Sequence, residues 1–154
     1  MSLAELLIAA LLTASVMGGV LSAVADSQRA FLAQAEAVDA SQRLRVVVDT
    51  LTRELQLASA VSLTHRGEAR ADAITIRQGA SVRAYYLADS QLRQDDGGQT
   101  APVVDGVRSL RFAYVESQGA PYVRVEVVVS PRYGPDVKTM VGVALRNAGP
   151  ADGR

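Results

Sequence analysis

One carboxylate stands where carboxylates are seldom placed. In "MSLAELLIAALLTASVMGGVLSAV" Glu5 is the sole charged side chain before Asp26, and the other residues from Leu3 to Ala25 are apolar, small or lone hydroxyls. That run is long enough to cross a bilayer as one helix of about 20 residues. An acid there costs roughly 2.5 to 3.5 kcal/mol near the centre and less near the end, so it normally has a partner or a task. Other groups carry weaker chemistry. Asp95 and Asp96 sit beside two glycines in "RQDDGGQ", but a calcium loop needs about six to eight oxygens, so a plain turn is expected. His65 is the single histidine; no G-x-S-x-G or acidic partner spacing accompanies it, and at a helix C-terminus it favours the dipole. Tyr85, Tyr86, Tyr114, Tyr122 and Tyr133 either line a groove for a ligand or pack at strand edges, the commoner use of strand tyrosines. With no cysteine, thiol catalysis and cysteine metal sites are excluded. No metal-spaced cluster or phosphate-cradling glycine loop appears. The chain is therefore expected not to be an enzyme and to take no metal or cofactor.

Composition narrows the classes further. At 154 residues the chain holds one domain beside a membrane segment. Sixteen basic residues balance sixteen acidic ones, so nucleic-acid binding is not indicated and no polybasic lipid patch is present. The first 28 residues contain no Lys or Arg, whereas a signal peptide or a cytoplasmic flank carries positive charge. The expectation is that a short basic leader preceded Met1 and has been removed.

The elements that position these residues follow from periodicity. After Gly19 the next glycine is Gly67 and the first proline is Pro102, so nothing between them breaks a helix. A single helix is expected to about residue 66. Its second half is amphipathic, with Phe31, Ala35, Val38, Leu44, Val48, Leu51, Leu55 and Ala58 on one stripe and charges on the other faces. Gly18 and Gly19, in the apolar half, serve either close helix packing or a weak point where the helix unwinds. Past Gly67 the period becomes two. "AITIRQGASVRAYYLA" reads as two strands about Gly79, "LRQDDGGQTAP" as turn chemistry, and "VRSLRFAYVES", "YVRVEVVVS" and "DVKTMVGVALRN" as three longer strands. The fold class is α+β: a long N-terminal helix, its apolar half projecting, packed by its stripe against an antiparallel sheet with one buried face. The expected segments are 1–25 apolar helix, 26–66 amphipathic helix, 67–147 sheet and 148–154 loose tail.

A glutamate at the fifth residue of "MSLAELLIAALL", an apolar helix that becomes amphipathic, and a C-terminal antiparallel sheet resemble the type IV pilins and the pseudopilins of type II secretion. In layout "SQRAFLAQAEAVDASQRLRVVVDTLTRELQLASAV", "VVDGVRSLRFAYVES" and "VVVSPRYGPDVKTMVGVALRN" are similar to W-type minor pilins and J-type minor pseudopilins. The family most often begins with Phe where Met1 stands, and many members carry a C-terminal disulfide that this chain cannot form.

The resemblance implies a filament subunit, minor and either tip-associated or assembly-initiating. A prepilin peptidase would cleave before Met1 and methylate the new amine. Assembly would rest on Glu5, with Ser2 beside it: Glu5 lies at i, i+4 from that amine and pairs with it or with a neighbouring subunit's. In the water-free bundle one axial offset pairs the charges and others strand a carboxylate. Implied partners are other pilins or pseudopilins, the peptidase, an inner-membrane assembly platform and, before assembly, membrane lipid. The chain would be a single-pass inner-membrane protein with its C-terminal domain in the periplasm or outside, and later part of a filament. The alternative is a single-pass membrane-anchored binding domain that never polymerises, its Glu5 resting in the headgroup layer.

Overall fold

The structure, a computed structural model, describes residues 2–64, 72–116, 121–146 and, as backbone, 149–150. Met1 and His65, and the readings placed on them, lie outside the described residues. Among the described residues one helix, α1 (Leu3–Gln56), is followed by nine strands: β1 (Ala60–Thr64), β2 (Ala73–Gln78), β3 (Ser81–Ala88), β4 (Gln91–Asp96), β5 (Gln99–Asp105), β6 (Val107–Val115), β7 (Tyr122–Val129), β8 (Val137–Ala144) and β9 (Gly149–Pro150). The fold is α+β, a long N-terminal helix packed against antiparallel sheet.

Several features differ from the expectations. The helix stops at Gln56 rather than near residue 66, and Ala60–Thr64 is a strand. No glycine or proline marks the stop. Instead Leu57 caps the helix by donating to the Arg53 carbonyl, and the Ser59 N–H and hydroxyl both donate to the Arg77 carbonyl, at 2.7 and 2.9 Å. That pairing draws "AVSLT" into register with β2. "LRQDDGGQTAP", expected as turn, is mostly a hairpin: β4 and β5 pair about Gly97 and Gly98, whose φ values of +63° and +95° make the turn. Pro102 fits there because β5 is the sheet's outer strand, where a missing N–H can face away from the ladder. Finally, there are two sheets rather than one, ordered β5-β4-β3-β2-β1-β9 and β6-β7-β8. Gly106, at φ +73°, lets the chain leave β5 and start β6 in the second sheet. The strip read as loose tail contributes β9, a two-residue parallel pairing with Ala60 and Val61.

The amphipathic stripe is shorter than expected. Helix α1 lies over β7 and β8 and meets β5, while β6 runs against β1 to β4. Ala40, Val47, Leu51 and Leu55 are buried on its inner face, Leu44 packs against the core, and Ala58 is buried just beyond. Phe31 and Val38, assigned to the buried stripe, are instead 72% and 54% exposed. They have the right residue type, but the sheets do not cover their side of the helix. The sheets supply Ile74, Ile76, Tyr85, Leu92, Phe112 and the β7 valines to the same core.

A polar clamp ties the end of α1 to the first sheet. The Glu54 carboxylate, its side chain only 14% exposed, receives Arg83 Nη1 at 3.0 and 3.1 Å and Gln78 Nε2 at 2.9 Å. Arg83 Nε also donates to Asp96 at 3.2 Å. These bonds, first Asp96 and then Glu54, raise the Arg83 guanidinium further above its ordinary value. Burial, and after it the Glu54 charge, push the neighbouring Tyr85 hydroxyl up to about 12. Replacing Glu54 by alanine removes one acceptor each from Arg83, which keeps Asp96, and from Gln78, whose Nε2 keeps the residue-54 carbonyl at 3.0 Å, so a loss of about 1 kcal/mol is expected. Thermal unfolding of the lipid-free domain measures it, and an unchanged midpoint would remove the clamp from the account.

Candidate assembly site at the apolar helix

The first turn of α1 is built by its own side chains. Ser2, with extended backbone at φ −82° and ψ 148°, is the N-cap. Its hydroxyl accepts from the Ala4 N–H at 3.2 Å, and Glu5 Oε2 accepts from the Ser2 N–H at 2.9 Å. The result is a reciprocal capping box that satisfies two of the helix's orphan donors. Glu5 also places negative charge at the positive end of the helix dipole. The S-x-x-E spacing of Ser2 and Glu5 is the signature of this device, and it gives Ser2 a physical role that a reading of charge alone passes over.

Beyond the cap the helix presents almost nothing polar. The hydroxyls of Thr13 and Ser15 turn back to the carbonyls of Ala9 and Leu11, each at 2.8 Å. Leu3, Leu6, Leu7, Ile8, Leu11 and Leu12 are 59% to 81% exposed. The apolar window has a mean hydropathy of 2.1 and none of it is buried, so this is one helix long and apolar enough to cross a membrane. A solvated helix of this composition would expose an apolar surface far beyond the few hundred Å² usual for a soluble monomer. Glu5 is thus the one ionisable side chain between Ser2 and Val24.

Gly18 and Gly19 are helical, and a Cβ built on either meets nothing within 4 Å. No contact inside the described chain requires glycine at these two places. Whatever selects them acts between molecules or on the helix's own stiffness.

The remaining candidates are not brought together. Asp95 Oδ1 accepts from the Gly98 N–H at 2.8 Å while Asp96 pairs with Arg83, so the two acids serve the hairpin turn and the clamp. Tyr85 is buried in the core and the adjacent Tyr86 faces the other side of β3; Tyr114 packs on the core, Tyr122 lies over Gly142 on the opposite face, and Tyr133 is in the β7–β8 connection. They do not form one groove. Among the described residues no group of three or more His, Cys, Asp or Glu side chains is placed to hold a metal ion. No family model matches the chain, and no characterised protein or solved structure matches it either.

Proposed function

We propose that the chain is a structural subunit, minor and tip-associated or assembly-initiating, of a type IV pilus or a type II secretion pseudopilus, polymerising through its N-terminal helix. The observation that carries this reading is Glu5: a lone carboxylate on the first turn of a 54-residue helix whose apolar part touches nothing else in its own chain. Before assembly the helix spans the inner membrane, with the sheet domain on the periplasmic or outer side. Glu5 is then satisfied locally by the Ser2 N–H.

On assembly the apolar helices leave lipid and bundle together. The Glu5 carboxylate meets the methylated Met1 amine of an adjacent subunit, each charge offsetting the desolvation of the other. A subunit displaced along the axis buries an unpaired carboxylate, a penalty of several kcal/mol, so one register is selected. The partners are other pilins or pseudopilins, delivered by an inner-membrane platform after a prepilin peptidase has acted. Mass spectrometry of the chain isolated from producing cells tests this: an N-methylated Met1 as first residue is expected, and an unmethylated chain with further residues before Met1 would contradict processing.

The glycine pair fits the same scheme. In a filament, neighbouring helices can meet backbone groups freed by local unwinding. Changing Gly18 and Gly19 together to alanine stiffens the helix by up to about 2 kcal/mol, at roughly 1 kcal/mol per glycine. Membrane anchoring is expected to persist while incorporation into filaments falls. Unbroken helical density from residue 10 to 30 in a filament map would leave close packing as the pair's role.

A further inference from the structure

The connection between β7 and β8, "SPRYGPD", reaches along α1 toward the apolar segment. Its base is held by the Ser130 hydroxyl and Arg108 Nη1, which donate to the two oxygens of Asp136 at 2.7 and 2.8 Å. Its tip rests on the helix: the Arg132 N–H donates to Glu36 Oε2 at 3.1 Å, and Gly134, at φ +107°, lies against the Ala33 carbonyl. Two prolines, Pro131 and Pro135, flank the tip and limit its freedom. Between them Tyr133 stands 55% exposed, and on the helix nearby Phe31 and Leu32 are 72% and 50% exposed. The chain therefore carries two aromatic rings and a leucine at the end of the domain that faces the apolar helix, on both a loop and the helix.

Their height is informative. Phe31 is six residues past Ala25, the last residue of the apolar run, and Ala33 is eight past it, which places them about 9 and 12 Å beyond at about 1.5 Å per residue. The headgroup layer of a bilayer extends roughly 5 to 8 Å from the hydrocarbon edge; the backbone positions stand just outside it, but helix side chains lean toward the N-terminus, here the membrane side, which brings the Phe31 and Leu32 tips down to its outer edge. Aromatic side chains are enriched at that level because an apolar body and a polar edge are both satisfied there. The exposed side of α1 continues through Val38 and Val46, 54% and 49% exposed, but Arg45 and Asp49, whose side chains are 84% and 65% exposed, interrupt it as a seam for a second helix. The nearby bases are matched in number by acids: Arg29 pairs with Asp26, Arg108 pairs with Asp136, and Glu36, which accepts the Arg132 backbone N–H, offsets the Arg132 charge by count rather than by an ion pair.

We propose that Phe31, Leu32 and Tyr133 form a collar that seats the sheet domain on the headgroup layer of the membrane its own helix crosses. The inference rests on the membrane-spanning reading given above and adds a second, shallow contact that fixes the domain's height and lean before assembly. Because charges around the collar cancel, seating does not depend on anionic lipid.

The chain contains no tryptophan, so a single indole reports on one place. Full-length chain in phosphatidylcholine vesicles, with lipid brominated near the headgroup end of the acyl chains for positions 133 and 82 and near their methyl end for position 16, is compared for Tyr133→Trp, for Val82→Trp on the outer face of the first sheet, and for Val16→Trp in the apolar helix. The indole at 133 is expected to emit to the blue of the one at 82 and to be quenched at least about twofold more strongly, as interfacial aromatics are. Added phosphatidylglycerol should leave that ratio unchanged. Quenching at 133 no greater than at 82, while 16 is quenched, overturns the collar alone. Absence of quenching at 16 overturns the spanning reading and the collar with it. A blue shift at 133 that grows with protein-to-lipid ratio and lacks bromine quenching assigns this face to a second copy and overturns the lipid contact.

Discussion

A Glu5→Ala chain is expected to insert into the membrane, to keep the thermal transition of its sheet domain and to be lost from filaments. Insertion persists because the run becomes more apolar, and folding persists because Glu5 lies far from the core contributed by Ala40 to Leu55. On the proposed reading, what is lost is the charge that selects the register. A neighbouring amine left unpaired in a dry bundle carries a penalty of several kcal/mol, and each 1.4 kcal/mol is about tenfold in an equilibrium. Incorporation relative to wild type should therefore fall by at least about tenfold, read by immunoblot of sheared filaments against the membrane fraction. The mutation also opens the capping box, so Ser2→Ala is the control: it removes the hydroxyl bond to the Ala4 N–H, costing the helix end about 1 kcal/mol, and leaves Glu5 in place. Equal loss in both variants would reduce Glu5 to a helix cap.

The second large effect separates the two halves of the helix. A chain beginning at Ser27 loses the exposed apolar segment and keeps the whole buried face of α1, so it is expected to be soluble, monomeric and cooperatively folded. A chain beginning at Leu51 is expected not to fold. It lacks Ala40 and Val47, which are 2% and 0% exposed, together with the partly buried Leu44 that packs against them. Without that cover the inner valines of β7 and β8, Val125, Val127 and Val143 among them, face water. Large apolar residues contribute roughly 1.5 to 3 kcal/mol each when fully buried, against a total stability of about 5 to 15 kcal/mol. Calorimetry distinguishes the chains, and a cooperative transition in the shorter one would show that another element covers β7 and β8.

The order of elements was legible because the period changes sharply, from three or four in the helix to two in the valine-rich strands. Where the helix stops was not, because past the last helical bond, from Leu57 to Arg53, it is Ser59 that diverts the chain through a tertiary bond to Arg77, and not glycine or proline. The division into two sheets turns on Gly106, whose positive φ is invisible among the other glycines of a turn-rich stretch. Phe31 and Val38 carry the helical spacing of core residues, yet the face they occupy is decided by how far the sheets reach. At the candidate site, Glu5 stood out because nothing around it is charged. Ser2 needed the capping geometry before it had a part. The clamp of Glu54, Arg83 and Asp96 joins residues up to 42 positions apart, and no local pattern marks such a contact.

The central claim is that this chain polymerises, and presence in filaments tests it most directly. Filaments sheared from producing cells and purified away from membrane should contain peptides from residues 72–116 and 121–146 by mass spectrometry, and immunogold against the sheet domain should label them at an end or at sparse sites. Recovery of the chain solely in the membrane fraction, with filaments free of it, would contradict the account and leave a membrane-anchored domain that does not polymerise.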